Sequence, residues 1–489
     1  MSFEITSILS DNMVLQREKP INIWGKDRVG EEITATLDGT SATTVTAEDG
    51  SWQLVLEAQN AGGPYVLKIT GSETKRIENI LVGEVWFCSG QSNMGMAVVS
   101  CDNQDDEINA ANNPNIRHIA IPNLVAGAPK FNTGGSWQIC NSETVASFSA
   151  AAYFFAKKLY AELQVPIGII HSSWGGTPAE AWISRESLES DNELNYLVEL
   201  WDKNIEESEE KILAHSETIN AWAKTAIQAE ANNEIIPGMP GLDVPASSPW
   251  RSSGLFNAMV APVLNYTIRG FLWYQGESNA DRACEYRNLF RTLIRDWRKN
   301  WNEELPFYFV QLAAWQKSAS EPRDNAWAEL QEAQTLALQE PNTGMAVISD
   351  VGEQHDIHPQ NKQTVGERLA LNALAQLYGQ PIEYSGPVYK SHEVNGNEIT
   401  IEFEHALGLH CSQQLHGFAV AAENKKFVWA TAQIKSDKII LKSPIDSPVE
   451  IRYNWDTFPH SSIYNAAKLP MNLFRTDDWE RITKGTRFE

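Results

Sequence analysis

A chain of 489 residues with 42% apolar content and a formal charge of −24 exceeds one ordinary domain, and its field, reaching ~10 Å, repels nucleic acid and anionic membrane surfaces. Five scattered cysteines, odd in number and without a close pair, exclude a zinc knuckle or a disulfide scaffold. No run approaches the ~18 apolar residues that span a bilayer, and Met1 to Asn12 lack a signal peptide, which predicts a cytoplasmic chain, or a periplasmic or secreted one if a leader was removed.

From Ile5 to about Thr70 short alternating segments (Ile21 to Trp24, Glu32 to Leu37, Ala42 to Thr46, Trp52 to Leu56, Tyr65 to Ile69) are separated by turn residues, the pattern of a β-sandwich-like domain over 1–78. The apolar run Ile80 to Phe87 then reads as a strand covered on both faces, ending in the turn Gly90-Gln91-Ser92-Asn93-Met94. A serine where such a strand passes into a helix stands clear of the sheet, with backbone N–H groups free to meet developing negative charge. Ser89 shares the turn but precedes the bend, so Ser92 is the candidate nucleophile.

Beyond Met94 the text is irregular up to Ser142, with one strand at Ile116 to Ile121. A helix from Ser149 and a strand at Val165 to Ile170 form the next βα repeat, closed by the turn Ser173-Trp174-Gly175-Gly176-Thr177. Acidic helical text from Ser184 to about Ile235, followed by a Pro and Gly cluster, predicts an inserted helical hairpin within about 184–250. Strands at Ile268 to Tyr274, Phe307 to Leu312 and Met345 to Ser349 alternate with helices at Cys284 to Trp297, Trp327 to Gln339 and Gly366 to Tyr378. The expected fold class is therefore α/β: a doubly wound α/β/α parallel sheet over 79–380, flanked by N- and C-terminal β-sandwich-like domains, the last over 381–489.

Three turns after three strands carry unusual polar content, and sheet geometry places them on one rim. They supply Ser92; Gly175 and Gly176, whose backbone can approach a ligand closely; and Gln275, Glu277 and Asn279, where an amide can donate to an oxyanion. The base is expected in Asp356-Ile357-His358-Pro359, where one loop carries an imidazole and a carboxylate to orient it. His355 and His358 are also spaced for a metal, although no further His or Cys cluster completes a ligand set.

These blocks, with Trp273-Tyr274-Gln275-Gly276-Glu277-Ser278, Asn12-Met13-Val14-Leu15-Gln16-Arg17, Leu469-Pro470 and Phe474-Arg475-Thr476, resemble those of the sialate O-acetylesterase group of SGNH hydrolases, over most of the chain. The resemblance implies a Ser92, His358, Asp356 triad, oxyanion donors at the Ser92 and Gly176 N–H groups and the Gln275 amide, and no metal or organic cofactor. It further implies substrate contacts at Gln91, Trp174 and Glu277, with sugar gripped around Trp174 and Trp182. Two features depart from the wider pattern: Gln and Glu stand where many such hydrolases have Gly-x-Asn, and the acid is two rather than three residues before the histidine. The implied substrate is an acetylated sugar or oligosaccharide, either a sialate, for which Arg251, Arg323, Lys362 and Arg475 are candidate cations, or a neutral acetylated xylan or other plant oligosaccharide. A carbohydrate-binding protein with an inactive α/β body is the rival reading, and a homo-oligomer is left open.

Overall fold

The computed structural model describes residues 2–242 and 244–489, and its longest strand, Thr74–Gly90, organises the rest. At about 3.3 Å per residue these 17 residues span roughly 55 Å. The first half pairs with Gly62–Thr70 antiparallel and with Val14–Gln16 parallel. The second half lies between Ile167–Ser173 and Gly270–Tyr274, parallel to both. Position 78, where the sequence suggests a domain limit, falls inside this strand. The extra residues escaped the apolar pattern because Thr74, Lys75, Arg76 and Glu78 are exposed and held by pairing rather than burial.

Upstream, Glu4–Ile5, Ile21–Lys26 and Ser51–Leu56 form one small sheet, while Glu32–Leu37 joins Thr40–Val45 and Gly62–Thr70 in the second layer. Alternation does the sorting: Ile33, Ala35 and Leu37 are buried while Glu32 is exposed. A buried ion cluster ties this region to the central sheet. The Glu84 carboxylate, fully buried on the long strand, accepts Arg17 Nε and Arg269 Nε at 2.6 Å each and Gln16 Nε2 at 3.1 Å. Burial alone would raise its pKa, but the Arg269 and Arg17 guanidinium groups outweigh burial and hold it below the usual carboxylate value.

The central sheet runs in the order Gln138–Asn141, Asn112–Ala120, Ile167–Ser173, Thr74–Gly90, Gly270–Tyr274, Phe307–Val310, Thr343–Ala346, with only the first, edge strand antiparallel to its neighbour. Period-two alternation splits its core. Trp86, Cys88, Leu272 and Tyr274 pack with the helices Ala150–Leu163 and Lys362–Asn372, whereas Phe87, Phe271 and Trp273 pack with Ala283–Trp301 and Ala326–Leu336. The chain builds to one side of Thr74–Gly90 and then to the other. The carboxyl end of that strand is therefore the topological switch point, where open α/β sheets bind ligands.

The insert departs from expectation. In place of a helical hairpin there is a short helix, Arg185–Ser190, then a 37-residue helix, Asn195–Ala231, and an irregular return through 232–242. Acidic helical text signals helicity but does not say where a helix breaks, and the Trp222 indole donating to Pro237 O at 2.8 Å fastens the return along the helix. The last region builds two four-stranded sheets around its own core of Ile399, Ile401, Phe418, Val420, Ile439 and Tyr453. Arg475, 2% exposed, anchors it to the helix Ala326–Leu336 through Glu332 at 3.0 Å. Among the described residues no helix is long and apolar enough to cross a membrane.

Candidate active site

At the switch point Gly90 makes the turn at φ +141, where an added Cβ would lie 2.1 Å from Tyr274 O, so no side chain fits. Ser89, just before it, is fully buried, and among the described residues its hydroxyl meets no partner. Ser92 follows the bend, half-buried, in the short helix Ser92–Gly95. Its Oγ lies 2.8 Å from His358 Nε2. The structure thus brings together two residues 266 positions apart.

Asp356 is looser. Its Oδ1 accepts the His358 backbone N–H at 2.8 Å and lies 3.4 Å from His358 Nδ1, and the two side chains are 48% and 38% exposed. The carboxylate shapes the loop more firmly than it holds the ring. Gly175 packs on the nucleophile's turn: an added Cβ would stand 3.2 Å from Ser92 Cβ. Gly176 adopts φ +73 and is exposed. Among the described residues the backbone N–H groups of Ser92, Gly175 and Gly176 meet no protein acceptor.

Several nominated side chains face inward instead. Gln275 is fully buried and donates to Thr177 O at 3.2 Å and Asn279 Oδ1 at 2.7 Å, while its carbonyl accepts from Tyr286 at 3.0 Å. With both amide protons committed here, Gln275 braces the two turns. Gln91 is likewise buried, its Oε1 accepting the Gly276 N–H at 3.3 Å, and Asn279 reaches Glu180 at 3.0 Å. Trp182 is a core residue, its indole on Thr177 Oγ1, so it grips no sugar; Trp174, half-buried, remains at the rim. Glu277 is half-buried with its Oε2 enclosed, and desolvation pushes its carboxyl up although Asn93 donates to it at 2.6 Å. Gln91 and Glu277 thus join the turns through their hydrogen bonds to the Gly276 N–H and to Asn93.

The four candidate cations are also engaged. Lys362 is fully buried on Asn93 Oδ1 at 2.6 Å and Pro359 O at 2.8 Å. Arg475 pairs with Glu332 and Asp477, Arg323 with Asp456, and Arg251 donates to Ala246 O. Two groups near the turn escaped the sequence reading. His171 Nε2 lies 2.7 Å from Ser173 Oγ, which in turn faces Gly95, and burial lowers the His171 pKa to about 4, so the ring stays neutral. No local motif marks that pair, since only strand register brings His171 and Ser173 to one face. Among the described residues no group of three or more His, Cys, Asp or Glu is placed to hold a metal ion.

Residues 245–375 match a family model described as carbohydrate esterase, sialic acid-specific acetylesterase. The sialate O-acetylesterases of Mus musculus and Homo sapiens are each 28% identical to the chain, over 94% of it and 90% and 88% of their own lengths. The crystal structure of a carbohydrate acetylesterase from Xanthomonas citri superposes with a TM-score of 0.82 at 33% identity, covering 98% of this chain and all of that one. The chain belongs to the sialate O-acetylesterase family of carbohydrate esterases. It is a carboxylic ester hydrolase, and that sets aside the rival of an inactive binding protein. In this esterase the family model spans the strand Gly270–Tyr274 and the His358 loop but ends upstream of the C-terminal sheets.

Proposed function

We propose that this esterase removes O-acetyl groups from carbohydrates with Ser92 as nucleophile, His358 as base and Asp356 as the acid of an SGNH-type triad. The observation that carries the reading is the 2.8 Å contact of Ser92 Oγ with His358 Nε2 at the switch point of the sheet. His358 takes the hydroxyl proton as Ser92 Oγ attacks the acetyl carbonyl carbon. The oxyanion is met by the Ser92 and Gly176 N–H groups, and His358 returns the proton to the departing sugar oxygen. Water, deprotonated by the same ring, then attacks the acetyl-serine, and His358 passes that proton to Ser92 Oγ as acetate is released. Each backbone donor lowers the barrier by about 2.7–4 kcal/mol. The proposed division is a 79–380 catalytic domain between 1–78 and 381–489 β domains.

Neutral acetylated oligosaccharides fit the rim better than sialates, because the four cations that could meet a carboxylate are buried or engaged by protein groups. Trp174 supplies an apolar face at that rim. A panel of O-acetylated sialates, xylo-oligosaccharides and glucosides, assayed for free acetate, tests this. The neutral substrates should lead by at least about tenfold in kcat/KM, the scale of one missing charge pair. A sialate turning over faster than every neutral ester would sink the preference.

Gly175 offers a finer check. Its φ is ordinary for any residue, so Gly175→Ala should fold normally, yet the methyl pressing on Ser92 at 3.2 Å has to displace it by a few tenths of an ångström. A drop of about tenfold in kcat with an unchanged melting temperature is expected, since small misplacements of reacting groups are costly. Unchanged kcat would show that this turn does not set the position of Ser92.

A further inference from the structure

Asn93 stands between the two loops that carry the reacting side chains. It is fully buried, and its Nδ2 donates to Glu277 Oε1 at 2.6 Å and to Ile357 O at 3.1 Å. Its Oδ1 accepts from Lys362 Nζ at 2.6 Å, and the same ammonium donates to Pro359 O at 2.8 Å. Ile357 and Pro359 are the chain neighbours of His358 on either side. The main chain holding the imidazole is therefore tied on one flank to Asn93 of the Ser92 turn directly and on the other through the Lys362 ammonium, which donates to the same amide. Lys362 lies over the Tyr274 ring at 5.3 Å, and among the described residues Glu277 Oε2 is buried with no protein partner.

Burying two opposite charges with an amide between them is a weak way to gain stability, since desolvation offsets most of the attraction. What such a network does well is hold one geometry, because its directional hydrogen bonds are made together only in a single arrangement. The exposed Asp356 carboxylate, 3.4 Å from the ring, leaves that task open.

We propose that Asn93, Lys362 and Glu277 form a positioning clamp that sets the separation and angle of Ser92 and His358. The proposal deepens the Ser92 and His358 reading and rests on it. None of the three touches the reacting atoms, so their effect runs through the loop backbone. Burial brings the Lys362 pKa down to about 8 against the pull of Glu277, Glu353 and Asp356, and raises that of Glu277, as expected for charges held in a dry site.

The test uses the full chain carrying Lys362→Met or Asn93→Ala, with p-nitrophenyl acetate turnover, thermal melting, and both the rate and the final stoichiometry of labelling by a fluorophosphonate. In each variant kcat and the labelling rate should fall together by about 10- to 100-fold while KM stays within about twofold, and labelling should still reach one per chain. Lys362→Met leaves Glu277 without its cation, so Lys362→Met/Glu277→Gln is made beside it; the double variant should melt closer to the parent and still label slowly. Labelling at the parental rate in folded Lys362→Met and Asn93→Ala overturns the clamp. So does lowered melting or stoichiometry with an unchanged rate per labelled chain, the mark of a scaffold. Ser92→Ala keeps the two ideas apart: turnover surviving there removes the underlying reading, whereas an inert Ser92→Ala beside fully active clamp variants removes the clamp alone.

Discussion

Ser92→Ala should reduce acetate release by roughly 10⁴-fold or more and abolish fluorophosphonate labelling, with the melting temperature nearly unchanged. The hydroxyl is half-buried at the mouth of the turn, so its loss leaves no cavity and only the His358 ring without a partner. His358→Ala should cost about as much, because nucleophile and base act as a unit whose members are not additive. Asp356→Asn should cost far less, about 10- to 100-fold, if its carboxylate chiefly anchors a loop that has other ties. Peptide mapping that places the probe adduct on buried Ser89, or labelling that persists in Ser92→Ala, would remove the proposed nucleophile.

The largest effect on stability is expected at Glu84. Replacing it with alanine leaves Arg17 and Arg269, 20% and 15% exposed, with the exposed Glu18 carboxylate at 3.5 and 3.4 Å in place of a buried anion, and breaking a buried pair in this way costs about 3–5 kcal/mol. Urea denaturation should register the full loss at neutral pH, and a change below about 1 kcal/mol would mean that the cluster behaves like surface charge. Its pH dependence has a definite sign. The folded-state pKa is depressed, so the contribution is complete above the ordinary value of 4.5 and disappears as pH falls through the lower folded value. Between neutrality and pH 3 the parent should lose more stability than Glu84→Gln.

What could be read in the residues beforehand followed from locality. A continuous apolar run, a glycine, then a serine is a message contained in a dozen positions, as is an aspartate two places before a histidine. Strands such as Glu32–Leu37, where alternation is regular, match the expected limits to the residue. Direction was the hidden quantity. Gln275, Gln91 and Glu277 stand in rim turns as expected, but whether an amide points out to solvent or back into the frame depends on Thr177, Asn279, Tyr286 and Asn93, which come from other turns and helices. Lys362 is the clearest case. Its position beside the histidine loop suggested a cation for substrate, and only the packing of its helix on the sheet reveals that it is sealed beneath that loop.

The strand Thr74–Gly90 has a consequence for how this molecule can change over time. Because one uninterrupted run of backbone begins in the N-terminal sheets and ends two residues before Ser92, the front of the chain is no exchangeable cassette. A recombination event joining a foreign module at residue 78 or 79 would cut a paired strand, strip the backbone groups of Val14–Gln16 and Gly62–Thr70 of their partners, and loosen the stem from which the turn projects. Inheritance of the two regions is in this sense linked by hydrogen bonds. Variation is freer at the long helix Asn195–Ala231, which beyond Trp201 buries only Ser208 and Ala229 and can lengthen or shorten without touching that stem.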